Sequence, residues 1–378
     1  MIKADGMLMI GSAGTNVGKT ELACAILRKF GPSREIVGIK VTTIEEKDGQ
    51  CPRGGQGCGV CSSLQGDFCI TLEADKSSNK DTGRLLSAGA SRVFWLRSLK
   101  SRLHEASTAL LQTVGSDAVS ICESNSLRHV VEPGLFLMVE RAAQQVWKKS
   151  AQEVKKYADR IVISHGGTFD LDLDQIAIVN RKWTLREKAT AIIMAGGDSR
   201  RMGIDKSMLP VNGRPLIERI CQQLRGSFEQ VLISANDASK FAFLDLAVVP
   251  DKVAGQGPLM GIASALNASD NDLNFVVACD IPRIELPFVR RLLCEAVRGG
   301  ADIVLPVGGD GKQEPLFAVY RKSALEAIDK VLSSGGRKIS DVFPLCTVKY
   351  IEMEGSLINL NTPAEYARFQ EDAGNANM

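Results

Sequence analysis

One local arrangement restricts this chain more than any other, and it occurs twice. Near the start, "GMLMIGSAGTNVGKTELACAIL" runs from an apolar stretch through a glycine loop into an amphipathic one. From Ala191, "AIIMAGGDSRRMGIDKSMLPVNGRPLIERI" does the same. An apolar strand that hands the chain to a helix through glycines is a β–loop–α unit, and such units in series build a parallel sheet covered on both faces. The chain has 378 residues, more than one ordinary core accommodates, so two domains are expected. The pattern restarts after "QIAIVNRKWTLREKA", which puts the boundary near 184–190 and the domains at 1–187 and 188–378.

The remaining periodicity agrees with an α/β class. In the first half "EIVGIKV", "SRVFWLR", "DAVSICES", "LFLMVE" and "DRIVISH" read as strands, while "KTELACAILRKF", "LKSRLHEASTALLQTV" and "SAQEVKKYA" carry helical spacing. In the second, "QVLISAN", "LAVVPD", "NFVVACD", "ADIVLPV" and "PLFAVY" read as strands, with helices starting near Pro215, Pro258, Pro287, Ser323 and Pro363. Two three-layer α/β domains are the expectation. A net charge of +2 with 24% charged residues gives no electrostatic case for nucleic acid or a membrane surface as partner. No export signal and no spanning segment are read.

The first loop, Ala13 to Thr20, fits a phosphate loop with alanine in place of the first glycine. Backbone N–H groups around Gly14, Asn16 and Gly18 would form an anion-binding concavity at a helix N-terminus. Lys19 would reach the β- and γ-phosphates and Thr20 would hold Mg²⁺. The bland reading is a glycine turn feeding a helix. Glu123, ending the run "AVSICES", is a Mg²⁺-side acid or a plain strand terminus. Between these motifs stands Cys-x6-Cys-x2-Cys-x7-Cys: Cys51, Cys58, Cys61 and Cys69. Four thiolates around a tight central pair can enclose Zn²⁺ or an iron–sulfur cluster; free or redox-active thiols are the other reading.

"VGIKVTT", "KDTGRLLSAGA" and "ICESNSL" together resemble the MobB-like GTP-binding proteins of molybdopterin-guanine dinucleotide biosynthesis, discontinuously over residues 1–185. That resemblance implies a P-loop NTPase-like domain and adds Lys40 and Asp81 as candidate site residues, against a strand lysine and a helix N-cap. The cysteine insertion near 51–69 is a departure from the pattern.

The second loop lacks Gly-Lys-Ser/Thr and is not another phosphate loop of the first kind. Its Ala195, Gly196 and Gly197, the arginine pair ending in Arg201, and Gly-x-Asp-Lys ending in Lys206 resemble the nucleotidyltransferase loop of the MobA-like molybdenum cofactor guanylyltransferases, over about 190–370. "VVPDKVAGQGPLMG" follows with Asp251, Gly257, Pro258 and Leu259, then "FVVACDIP" with Asp280 at the end of an apolar run, and "INLNTPAEY" with Asn359, Asn361 and Thr362.

The resemblance implies a Rossmann-like domain transferring GMP from GTP to the molybdenum–molybdopterin cofactor, with release of pyrophosphate. Asp280 would hold Mg²⁺, with Arg201 and Lys206 neutralising phosphate charge. No catalytic histidine is needed, and His104, His129 and His165 all lie in the first half. Product recipients would be molybdoenzymes or cofactor-insertion proteins. A cytidylyl- or sugar-phosphate nucleotidyltransferase, or for the first half a metal-carrying nucleotide-binding adaptor, are the competing readings.

Overall fold

The computed structural model describes residues 1–45, 64, 66–142, 146–196, 205–353 and 355–375. The chain forms two compact units, Met1–Leu185 and Arg186–Met378. No helix among the described residues is long and apolar enough to cross a membrane.

In the first unit, strands β1 (Ile2–Ser12), β2 (Val37–Ile44), β3 (Phe68–Leu72), β4 (Arg92–Leu99), β5 (Ser120–Glu123), β6 (Val131–Arg141) and β7 (Arg160–Ser164) form one sheet. Their order is β3-β4-β2-β5-β1-β6-β7, parallel throughout except for β3, which runs antiparallel to β4. Helices α1 (Lys19–Phe30), α2 (Asp81–Ser87), α3 (Leu103–Val114) and α4 (Lys149–Lys155) cover it. Successive strand side chains point to opposite faces, and β1 shows the consequence. Leu8 and Ile10 enter a core with Leu22 and Ile26 of α1 and Leu85 of α2; Met7 and Met9 enter another with Leu103 and Leu110 of α3 and Val154 of α4. Burial on both sides is why the strand reads as an unbroken apolar run.

Three strands went unread in this half, a hairpin pair and one sheet edge. A hairpin, β8 (Ile176–Val179) with β9 (Lys182–Leu185), turns through Asn180 and Arg181 at φ 49 and 63. That is the left-handed pair a two-residue hairpin needs, spelled without its usual glycine. Trp183 is buried there, its indole N–H donating to the Ser120 carbonyl at 3.0 Å. The third is β3, which includes Cys69 and therefore shortens the expected cysteine loop.

In the second unit, β10 (Glu187–Met194), β13 (Phe228–Ser234), β14 (Ala247–Val249), β15 (Leu273–Ala278), β16 (Ile303–Val307), β17 (Phe317–Arg321) and β18 (Val348–Glu352) make the sheet β14-β13-β10-β15-β17-β16-β18. A two-residue ladder, β11 (Pro210–Val211) with β12 (Arg214–Pro215), precedes the first helix. β17 alone runs antiparallel to its neighbours, and β18, unread from the sequence, is parallel to β16. Helices are α5 (Leu216–Arg225), α6 (Pro258–Ala268), α7 (Leu286–Gly299), α8 (Leu325–Ser333) and α9 (Pro363–Asn375). Again one strand feeds two cores: Ala191 and Ile193 pack with Ile220 of α5 and Leu292 of α7, and Ile192 and Met194 with Ile262 of α6 and Ile328 of α8. Arg290 and Glu187 form a buried ion pair at 3.1 Å that ties α7 to β10.

Both glycine loops leave the carboxyl end of a central strand, β1 between β5 and β6, and β10 between β13 and β15. Connections diverge there to opposite sides of the sheet, which opens a crevice for ligands. Ile193 is fully buried in the strand that sets this crevice; Ile193→Ala should destabilise the protein by about 2–5 kcal/mol, measured as a lowered urea midpoint with unchanged slope.

Candidate functional sites

At the end of β1 the chain enters the first loop through Ser12, whose N–H donates to Asn125 Oδ1 at 2.8 Å and whose carbonyl accepts from Asn125 Nδ2 at 3.0 Å. Gly18 caps α1 with φ 100. A Cβ there would stand 2.9 Å from Ser164 Oγ and 3.3 Å from the Phe169 ring, so conformation and space both demand glycine. Asn16 is also left-handed, φ 54, and its carbonyl accepts from Arg141 at 2.7 Å. The Gly14 carbonyl accepts from Ser12 Oγ at 3.0 Å.

Lys19 and Thr20 open α1 against Glu123. The Thr20 hydroxyl donates to Glu123 Oε2 at 3.1 Å, and Lys19 Nζ lies 3.9 Å from the same oxygen. Glu123 is fully buried, and its other oxygen, Oε1, has no hydrogen-bond partner among the described residues. A buried carboxylate oxygen left unmatched beside a hydroxyl is a hard-oxygen donor set that suits Mg²⁺. The structure thus brings Gly14, Asn16, Gly18, Lys19, Thr20 and Glu123 to one place. Lys40 on β2 and Asp81 are ion-paired; Asp81 is the first residue of α2, with Lys80 rather than Asp81 as the N-cap. Cys69 lies in β3, where its Sγ accepts from Arg97 at 3.4 Å. Cys51, Cys58 and Cys61 lie outside the described residues, among which no group of three or more His, Cys, Asp or Glu could hold a metal.

In the second unit, the Ala195 and Gly196 N–H groups both donate to the Ser234 carbonyl, at 2.9 and 3.0 Å, which fixes the direction in which the second loop leaves β10. Gly197 and Arg201 lie outside the described residues. The loop is described again from Asp205, whose carboxylate accepts from the Ser207 N–H at 3.0 Å and its hydroxyl at 2.7 Å and is ion-paired with Lys240. Burial opposes ionisation of Asp205 most strongly, yet the Lys240 and Ser207 bonds together hold its carboxyl below the usual range.

Lys206 is turned the other way. Its Nζ donates to Asp280 Oδ2 at 2.9 Å and to Asn361 Oδ1 at 2.6 Å. The Leu360 N–H donates to the Asp280 carbonyl at 2.9 Å, so the segment before α9 is laced to the end of β15. Thr362 and Glu365 complete the brace. Glu365 Oε2 accepts from the Asn361 and Thr362 N–H groups, both at 2.8 Å, and the Glu365 N–H returns to Thr362 Oγ1 at 3.2 Å. This is a capping box, legible in the spelling Thr-Pro-Ala-Glu. The neighbouring Cys279 is desolvated, which pushes its thiol up to about 12 and keeps it protonated.

Asp251 is held by Asn236, which donates from Nδ2 to Oδ2 at 2.9 Å and accepts the Asp251 N–H at 2.8 Å. Gly257 is the N-cap of α6 and Pro258 its first residue, with Leu259 buried beneath. The last glycine of that motif, Gly261, has a steric reason: a Cβ would lie 2.8 Å from the Met194 methyl, 2.9 Å from Ser234 Oγ and 3.3 Å from Asp251 Oδ1. Lysine, carboxylate and amide therefore converge at the carboxyl end of β15. Lys240 and the Glu365 brace were missed in the sequence reading. Glu365 had a signal; Lys240, 35 residues from Asp205, had none.

Residues 191–344 match the family model described as the MobA-like NTP transferase domain. A probable molybdenum cofactor guanylyltransferase of Pelotomaculum thermopropionicum is 37% identical over 198 residues, which is 50% of this chain and 95% of that protein. The molybdenum cofactor guanylyltransferase of Vibrio parahaemolyticus is 37% identical over 186 residues, 47% of this chain and 93% of that one. Among solved structures, molybdopterin-guanine dinucleotide biosynthesis protein A of Archaeoglobus fulgidus is 26% identical, covering 49% of this chain and 99% of its own, with a TM-score of 0.44. Through its second half, this chain belongs to the molybdenum cofactor guanylyltransferase family, a family of nucleotidyltransferases.

Proposed function

We propose that the second unit transfers GMP from GTP to the molybdenum–molybdopterin cofactor. The observation that carries this reading is the meeting of Lys206, Asp280 and Asn361 at the carboxyl edge, in a chain whose relatives bear the guanylyltransferase name. An oxygen of the acceptor's phosphate attacks the α-phosphorus of GTP, and the Pα–O–Pβ bond breaks with its electron pair leaving on pyrophosphate. The nucleophile is already a phosphate oxyanion, so the protein's work is to position the groups and offset their charge. Ala195, Gly196 and Gly197 would lie along the base and ribose, and Asp251 with Gly257, Pro258 and Leu259 would complete the GTP site. Arg201 and Lys206 would neutralise the charge that develops on the leaving pyrophosphate. A single strand-end carboxylate, completed by substrate phosphates, is a donor set Mg²⁺ accepts, and Asp280 would hold it; bound there, the ion would supply charge neutralisation at the phosphates.

The first unit is read as a P-loop, MobB-like GTP-binding accessory. Glu123, with its unmatched oxygen, and Thr20 would hold Mg²⁺ there, and Lys19 would meet the β- and γ-phosphates. Cys51, Cys58, Cys61 and Cys69 would hold Zn²⁺ or an iron–sulfur cluster. Joining both modules in one chain raises their effective concentration at one cofactor. The cytoplasm, where thiols stay reduced, is the compartment this reading assigns, and molybdoenzymes or insertion proteins would take the product.

With molybdopterin-bearing cofactor, the intact protein should release pyrophosphate from Mg-GTP and not from Mg-CTP. Asp280→Ala should lower kcat about 10²- to 10³-fold. Turnover with CTP, or with a hexose 1-phosphate in place of the cofactor, would redirect the assignment to the other nucleotidyltransferases. Equilibrium dialysis against Mg-GTP should find two sites per chain and one in Lys19→Ala; two sites in both would leave the first loop without a nucleotide. Elemental analysis of purified protein should find zinc or iron that disappears when Cys58 and Cys61 are changed to serine. Metal retained in that double variant, or absent from the parent, would return the four cysteines to ordinary thiols.

A further inference from the structure

The turn between β16 and β17 contains chemistry that the nucleotide reading does not use. It is tightly built. The Gly308 N–H donates to the Lys312 carbonyl at 2.9 Å, the Glu314 N–H to the Pro306 carbonyl at 3.1 Å and the Phe317 N–H to the Glu314 carbonyl at 3.0 Å. The Lys312 N–H donates to Asp310 Oδ1 at 3.0 Å, and Val307 bridges Gln313. Ala278, two residues before Asp280, donates its N–H to the Leu316 carbonyl at 2.8 Å, so the turn feeds β17 directly beside the strand end that bears Asp280.

On this turn Lys312 Nζ donates to Glu314 Oε1 at 2.6 Å; the lysine side chain is 60% exposed and the glutamate 15%. A shielded carboxylate thus holds a solvent-facing ammonium in place. The Glu314 bond is the main reason the Lys312 ammonium binds its proton more tightly than usual, against some desolvation, and the charges of Asp310 and Asp280 add to it.

Sheet order gives the turn its meaning. β15 lies between β10 and β17. The second glycine loop, with Arg201 and Lys206, leaves β10; the Lys312 turn enters β17. Asp280, two residues past the end of β15, therefore has Lys206 bonded to it from the β10 side and, on the β17 side, the turn that carries the exposed Lys312 ammonium. In-line transfer at phosphorus also has two sides, with the leaving oxygen opposite the attacking one. A phosphate monoester near pH 7 carries about −1.5 to −2 charges, and bringing it beside Asp280 demands a cation that the leaving pyrophosphate is not already using.

We propose that Lys312 is the residue that binds the acceptor's phosphate monoester, with Glu314 orienting it. The acceptor oxygen forms the new P–O–P bond, the Pα–O–Pβ bond breaks, and pyrophosphate leaves with the electron pair; Lys312 keeps its proton throughout. The inference rests on the transferase reading and deepens it.

Steady-state pyrophosphate release by the full-length protein, varying Mg-GTP and acceptor separately, tests it in Lys312→Met, Lys312→Arg and Glu314→Gln. Lys312→Met should raise KM for the acceptor about ten- to a hundredfold, leaving KM for GTP unchanged, which also reports an intact fold. Lys312→Arg should recover most of the loss, and Glu314→Gln should fall between. An unchanged acceptor KM, or equal rises in both KM values, overturns the assignment. Should the parent protein refuse molybdopterin yet use another phosphate monoester, the same acceptor-KM effect on that compound would sustain Lys312 and fail only the choice of acceptor. No turnover with any phosphate monoester would overturn both.

Discussion

A strand buried on both faces can display a charge only at its end, and most of this molecule's chemistry follows from that restriction. Phe275, Val276 and Val277 are wholly shielded, and Asp280 emerges just past the end of β15. Glu123 stands in the same relation to β5, its last residue, with the difference that it stays buried. In each unit a glycine loop leaves the neighbouring strand at that same edge, so a cation and a carboxylate meet where parallel strands stop. Helices on both faces enforce the restriction, and a charge within a strand, such as Lys40 on β2, is met by a partner on the covering helix, Asp81 of α2.

In the second unit the signature lysine is oriented by a segment far along the chain. Lys206 reaches Asn361 as well as Asp280, and Asn361 is itself fixed by Glu365 at the start of α9. That carboxylate is held low mainly by the backbone N–H of Asn361, with the Thr362 bonds adding. The last helix therefore does more than pad the core: its capping box fixes the position of Asn361 against Lys206 and Asp280. Asp205, bonded to Ser207 and Lys240, secures the lysine from its other side.

The first unit has the same plan with a different emphasis. Its loop is packed from outside, by Ser164 and Phe169 against Gly18 and by Arg141 on the Asn16 carbonyl. Among the described residues, the Glu123 Oε1 atom is a buried side-chain oxygen at that site which packing leaves unsatisfied. Lys40 and Asp81, drawn from β2 and α2, pair beside it on the sheet.

Much of this was legible in the residues. Helix α1 occupies the stretch its apolar spacing indicated, Lys19–Phe30, and prolines marked the first turns of α6 and α9. Strands buried on both faces showed as unbroken apolar runs. Some short or half-exposed elements did not: β3 is half-exposed, β8 and β9 turn through Asn-Arg, and β18 alternates too weakly to separate from a loop. The chain's own sequence also named Lys206 and Asp280, because loop chemistry and strand ends are local properties. What joined them, and brought Asn361, Lys240 and Lys312 around them, was the order of strands in the sheet. Neighbours in that order are set by how helices of a given size pack over both faces, and no stretch of sequence contains that information by itself. The residues determined which groups could be charged at a strand's end; only the tertiary structure decided which of those ends would share an edge.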